Sequence, residues 1–498
     1  MPAPASLRRS RRFALGVAVA LASGAWAEAG DRPPAPAATH APAIRVTEAQ
    51  MIDETTALAQ ALGRARRMPV RIDWQRRLIG AGDARAVAEA TVRGGAAPAE
   101  TEIDEKLFQR LGLLDTGASY IDRLAGAVGR DPVGFYDPST RRLSVPDFVS
   151  LPEQRPTLAH EIAHAVQDQR FGLRRFLKTT PDGRRGLSFD EQLARQALIE
   201  GDASVLAMEA IDPRGEFPAT LELVETAARA RDGTLTAFTA QTPRFLRELL
   251  AFPYLDGFAF VARARVTAGW AAIDAIWSRP PESTAQILHP ERYDRRQSPA
   301  EIELPPLPLM GEGLRLARAD TLGELLVRIW LAAPGPGVAA DPLLAPEVAE
   351  RAATGWRGDR VGIYVPVTPD APPALAADGG APAPARSGAA LAWITAWESD
   401  ADADDFLQNA APRLAALAAG AESEVGLPID ASEHPAAGRG AIWRERAGEP
   451  VFAVERRGTF VALLLGAPEA AVPSLGTMLD ATSPRRGDRT RRARPTKR

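Results

Sequence analysis

Residues 158–166 read Leu158-Ala159-His160-Glu161-Ile162-Ala163-His164-Ala165-Val166. The apolar and small residues around the polar ones are what a buried helix requires. Residues four apart share a helix face, so His160 and His164 can meet one ion. Glu161 sits beside them and reaches a water as general base without being a ligand. The spacing is H-E-x-x-H, by which a helix holds zinc, and zinc lowers the pKa of its water toward about 7.

The rest of the composition narrows the choice of further ligands. The chain has 498 residues, no cysteine and five histidines: His40, His160, His164, His289 and His434. A disulfide framework, a cysteine nucleophile, an iron–sulfur cluster and a thiolate zinc site are thereby excluded. No further histidine follows His164 within 20 residues, so the third ligand is a carboxylate on another element. Glu200, in Ile199-Glu200-Gly201-Asp202-Ala203-Ser204, is the candidate. Leu193, Ala197, Glu200, Ser204 and Ala207 fall on one helical stripe, and its small residues allow close packing against the first helix. Glu191 and Glu209 lie off that stripe and are expected to face solvent. Asp168, four residues after His164, either supports the ligands or caps a neighbouring loop.

These segments resemble the gluzincin zinc metallopeptidases, which pair an H-E-x-x-H helix with a glutamate on a second helix. Glu200-Gly201 is similar to the N-E-G segment of the aminopeptidase branch, with Ile199 in place of asparagine. Ser204 stands where the thermolysin branch has aspartate, and Asp202 comes two residues after the glutamate instead. The resemblance implies that Asp202 orients His160 or His164. A closer likeness is to little-characterised exported proteins of bacteria and haloarchaea with segments F-Y-D-P, H-E-x-x-H-A-x-Q-D-Q, E-G-D-A and L-H-P-E-x-Y. Phe135–Pro138, His160–Gln169, Glu200–Ala203 and Leu288–Tyr293 match them. It covers roughly residues 50–295 and implies a zincin fold and a Zn2+ site, but no substrate. In zincins a strand beside the active helix binds substrate backbone, a role suited to the hairpin of 133–145. The same resemblance makes Tyr136, His289 and Tyr293 candidates for steadying an oxyanion. A structural role for Tyr136 is the alternative. Pro290 weakens the case that His289 and Tyr293 share a face.

Working outward, Arg8, Arg9, Arg11 and Arg12 precede an apolar stretch from Phe13 to Ala25 and an Ala25-Trp26-Ala27 cleavage pattern. This reads as a signal peptide over 1–27 and export to the periplasm or beyond. Residues 28–45 form a Pro/Ala-rich linker, 46–300 a mainly helical zincin-like domain with a short β-hairpin, and 310–480 a smaller α+β domain. Within the latter, 368–387 reads as a flexible loop and 481–498 as a basic tail. The expected fold class is thus α+β. Helices are expected over 47–66, 102–127, 157–169, 188–211, 218–231, 243–252 and 257–278. In the second domain strands are expected over 361–367, 389–397, 440–446 and 451–465.

Net charge is −3, and without the leader and the tail from Arg485 it is about −14. Nucleic acid is therefore not an expected partner of the folded part. The tail either touches anionic envelope polymer or lipid, or is a disordered solubilising end. The expected activity is hydrolysis of peptide bonds in a protein or peptide substrate by Glu161-activated, zinc-bound water. The rival reading is a catalytically silent envelope binding or scaffold protein on the same fold.

Overall fold

A computed structural model describes residues 45–95, 98–128, 134–180, 186–211, 242–305, 309–311, 313–333, 344–367, 388–419, 439–444 and 450–482. The leader, the linker to residue 44, His40, His434, the loop 368–387, the helix expected at 218–231 and the tail from 483 lie outside these residues. Among the described residues no helix is long and apolar enough to cross a membrane. The protein is α+β. It divides into two units, one of Met1–Glu105 with Gly117–Ser298, the other of Lys106–Thr116 with Pro299–Arg498.

The first unit opens with α1 (Glu48–Arg66), whose Thr47 and Gln50 form a reciprocal capping box. Strand β1 (Gln75–Ile79) and helices α2 (Ala81–Gly95), α3 (Pro98–Arg110) and α4 (Tyr120–Val128) follow. The single helix expected over 102–127 is thus two. Gly112 and Gly117 have φ of +68° and +82°, which no continuing helix accepts. Next come β2 (Phe135–Asp137) and β3 (Arg142–Pro146), paired antiparallel as the hairpin pattern predicts. β1 adds to β3 in parallel, giving the order β1-β3-β2 with β2 at an edge.

Helix α5 (Leu151–Phe171) carries His160, Glu161 and His164. It starts six residues earlier than the sequence suggested. Ser150 caps it by accepting from the Glu153 N–H, Pro152 suits its first turn, and Pro156 is tolerated in the second. A short α6 (Leu173–Phe176) and then α7 (Phe189–Ile211) follow. The residues from 244 to 278, labelled α8 (Arg244–Ser278), form two helical segments that meet where Ala268 and Gly269 leave helical geometry, and Pro253 lies inside the first segment. The break expected near 253–256 is absent. The unit closes with α9 (Thr284–Leu288) and α10 (Pro290–Asp294). Helices α1, α5 and α7 share a core with the sheet through Leu58, Leu62, Leu143, Val145, Leu158, Ile162, Ala203 and Leu206.

The second unit is a six-stranded antiparallel sheet in the order β4-β5-β6-β9-β8-β7. Its strands are β4 (Leu314–Asp320), β5 (Trp356–Pro366), β6 (Ala390–Trp397), β7 (Arg439–Arg444), β8 (Val451–Arg457) and β9 (Phe460–Ala467). The strand expected over 451–465 is a hairpin, turning at Gly458. The helices are α11 (Gly323–Ala332), α12 (Pro346–Thr354), α13 (Asp400–Ala419) and α14 (Ser474–Thr482). β6 is buried at all eight positions, as a strand covered on both faces must be. Ala390, Ala392 and Ile394 meet Leu475, Met478 and Leu479 of α14 on one face. On the other, Trp393 and Trp397 pack on Phe406 of α13, and Trp393 on Trp330 of α11. Lys106–Thr116 is tied into this unit by two arginines: the Arg413 side chain donates to the carbonyls of Leu111 and Gly112, and the Arg110 side chain to that of Ala389.

Candidate metal centre

Helices α5 and α7 pack against each other and aim three side chains at one point. His160 Nε2 lies 3.1 Å from Glu200 Oε2 and 3.0 Å from His164 Nε2. The remaining side of the triangle, His164 Nε2 to Glu200 Oε2, is 3.3 Å. Ligand atoms on a tetrahedral ion with bonds of about 2.0–2.1 Å stand about 3.3 Å apart, so the triangle fits zinc. Among the described residues, these three are the group of histidine and carboxylate side chains able to hold a metal. Glu161, Glu200 and His164 are at most 1% exposed and His160 8%.

The close crossing of α7 and α8 completes the wall. Gly201 follows Glu200, and a Cβ on it would stand 2.2 Å from the Gly257 carbonyl oxygen. This contact brings in Tyr254, whose ring centroid lies 6.1 Å from that of His160. Its hydroxyl is buried, with Glu200 as its polar neighbour and no hydrogen bond of good geometry. Sequence reasoning missed this residue. Its signal was weak: a polar-tipped ring three residues before Gly257 in an otherwise apolar helical run.

Glu161 is held from one side only. Its Oε2 accepts the main-chain N–H of Tyr136 at 2.8 Å, while Oε1 is buried without a partner. The edge strand β2 thus spends a main-chain donor on the proposed base. The Tyr136 hydroxyl donates to Asp168 Oδ2 at 2.9 Å. In this arrangement it is bonded to Asp168 rather than turned toward the converging histidines. Asp168 also accepts the Leu173 N–H, so it caps α6 and anchors the tyrosine, and supports neither histidine directly.

Asp202 likewise does not touch a histidine directly. Its Oδ2 accepts from Gln167 Nε2 at 3.2 Å and from Trp277 Nε1 at 2.8 Å. Gln167 Oε1 in turn faces His164 Nδ1 at 2.9 Å. Ser204 Oγ lies 3.4 Å from His160 Nδ1, and Gln196 Nε2 donates to Glu200 Oε1 at 2.8 Å. His289 stands at the junction of α9 and α10 and is not among the three converging ligands. Tyr293 donates its hydroxyl to the Arg279 carbonyl at 2.7 Å.

Burial sets the electrostatics. It pushes the Glu161 pKa well above the carboxylate range, against the pull of His164 and the Tyr136 N–H. Burial also resists charge on His164, but Glu200 beside it, with Glu161 and Gln167, pushes that pKa up to about 9. Glu200, despite its burial, is held down at about 2 by the two histidines. Tyr254 is pushed well above its ordinary value by burial and by the Glu200 and Glu161 charges. Its hydroxyl therefore keeps its proton and is a donor.

A family model described as a domain of unknown function (DUF8575) matches residues 313–475, inside the second unit and away from the residues of this centre. No curated protein and no solved structure matches the chain.

Proposed function

We propose that the chain is an exported zinc metallopeptidase of gluzincin type, with a zincin-like first unit. The observation that carries this reading is the convergence of His160 Nε2, His164 Nε2 and Glu200 Oε2 within 3.3 Å beside an unpaired Glu161 oxygen. Export rests on the leader pattern of residues 1–27.

His160, His164 and Glu200 would hold the ion. Zinc bound there supplies a Lewis acid, which polarises a carbonyl and acidifies water. The chain's own residues do the rest. Glu161 Oε1 takes a proton from the water that attacks the peptide carbonyl carbon. That oxygen is buried and has no hydrogen-bond partner of its own, so it is the one placed to accept the proton. The Tyr254 hydroxyl donates a hydrogen bond to the carbonyl oxygen as negative charge builds on it. Glu161 then gives its proton to the amide nitrogen and the C–N bond breaks; the second proton of the water follows to the nitrogen, so a carboxylate and an ammonium leave.

The test is zinc content of purified residues 28–498 with peptide-library cleavage alongside. About one zinc per chain, lost in Glu200→Ala, with cleavage lost in Glu161→Gln, is the expected result. One zinc with no cleavage of any peptide would favour the scaffold reading. No zinc in a folded protein would overturn the site.

A further inference from the structure

Each ligand of the centre is held from behind by one side chain, and all three supports are uncharged: Ser204 for His160, Gln167 for His164, Gln196 for Glu200. Gln167 is the most constrained. Its Nε2 faces two acceptors, the Ile199 carbonyl at 3.0 Å and Asp202 Oδ2 at 3.2 Å. That fixes the amide orientation and leaves Oε1 toward His164. Only an N–H on Nδ1 can answer it, so in the neutral ring Nε2 carries the lone pair that points at Glu200 and His160. Asp202, whose Oδ1 is buried and unpaired, stands one residue behind. Gln167 is thus a neutral spacer between a buried carboxylate and a histidine ligand. A carboxylate in direct contact would raise the basicity of the ring, and an amide carbonyl does so less.

We propose that Gln167 is a positioning residue that commits His164 to the Nδ1–H form, and that this uncharged support leaves the metal ion less tightly held than a carboxylate in direct contact would. The inference rests on the metal-centre reading, and goes beyond it in assigning what sets the affinity.

The test measures zinc affinity of the full chain by competition with a chelator of known strength. Gln167→Met keeps the volume and removes the hydrogen bonds. It is expected to weaken zinc binding about 10- to 100-fold. The double variant Gln167→Glu with Asp202→Asn moves the carboxylate into contact; it also removes the donor to the Ile199 carbonyl and sets the new amide between the carboxylate and the Trp277 N–H, so its melting midpoint is read beside its affinity. It is expected to bind zinc more tightly than the wild type, and equal or weaker binding by the folded variant would overturn the part of the proposal that concerns affinity. Long-range 1H–15N NMR of zinc-loaded wild type needs no variant: His164 should show a protonated Nδ1 and a ligated Nε2. Ligation through Nδ1, or Gln167→Met binding within threefold of wild type, would overturn the proposal while leaving the metal centre standing. A wild type that takes up no zinc would overturn the metal centre itself.

Discussion

Gly201 and Gly257 meet backbone to backbone: a Cβ on the first would lie 2.2 Å from the carbonyl oxygen of the second, and one on the second 2.2 Å from that of Ala197. Real Cβ atoms do not approach that closely, so α7 and α8 sit at this distance only because both residues lack one. Gly201→Ala must push the helices apart. Overpacking of this kind costs about 3 kcal/mol, and the thermal midpoint should fall by about 6–12 °C. An unchanged midpoint by calorimetry would show that the crossing is looser than described.

The same crossing puts Tyr254 at the centre. Tyr254→Phe keeps the ring and removes the donor. Loss of one oxyanion donor costs about 100-fold in kcat, with KM and zinc content little changed. Steady-state kinetics on a cleaved peptide checks this. A kcat within threefold of wild type would remove Tyr254 from the reaction.

Chelation tests the ligand triangle through stability. A ligand that binds only the folded state stabilises it by about 2.7 kcal/mol at a concentration 100 times its Kd. Removing zinc should therefore lower the melting midpoint of the wild type, and return of zinc should restore it. His164→Ala should melt at one temperature with or without zinc.

The second unit offers a pH prediction free of the metal. Asp359 is 2% exposed and accepts the N–H groups of Leu322 and Gly323 and the indole N–H of Trp356. Burial outweighs these donors and pushes its pKa up to about 6. Between about pH 4 and 6 the folded unit then holds a proton that the unfolded chain releases. Its contribution to stability is present at low pH and is lost as pH rises through about 6, on the order of 3 kcal/mol. Asp359→Asn should flatten this part of the urea-unfolding profile, whatever its baseline. An identical slope in the variant would refute the assignment.

Some of this centre was written in local spacing. His160 and His164 are four apart on one helix, and Glu200 lies on a stripe with Ala197 and Ser204, so motif and periodicity together pointed to the three side chains that converge. Tyr254 belongs to the centre because of a helix crossing, and no spacing within α8 reports that. The relay through Gln167 was hidden for a similar reason: Asp202 contacts it from another helix. Tyr136 was half legible. The hairpin suggested a strand beside the active helix and the tyrosine ring suggested an oxyanion donor, but the contact with Glu161 comes from the main-chain N–H, which every residue but proline has. The α+β class followed from hydrophobic patterning. The break after Arg110 did not, because the glycines there act through backbone angles rather than through polarity.

Arg413 donates to the carbonyl of Leu111 across 302 positions of chain. Closing so long a loop costs entropy before any contact repays it, and topologies rich in such closures fold slowly. The β-sheet unit therefore cannot complete itself while the chain is still short. Lys106–Thr116 comes early in the chain and gains these bonds only once Arg413 has been made.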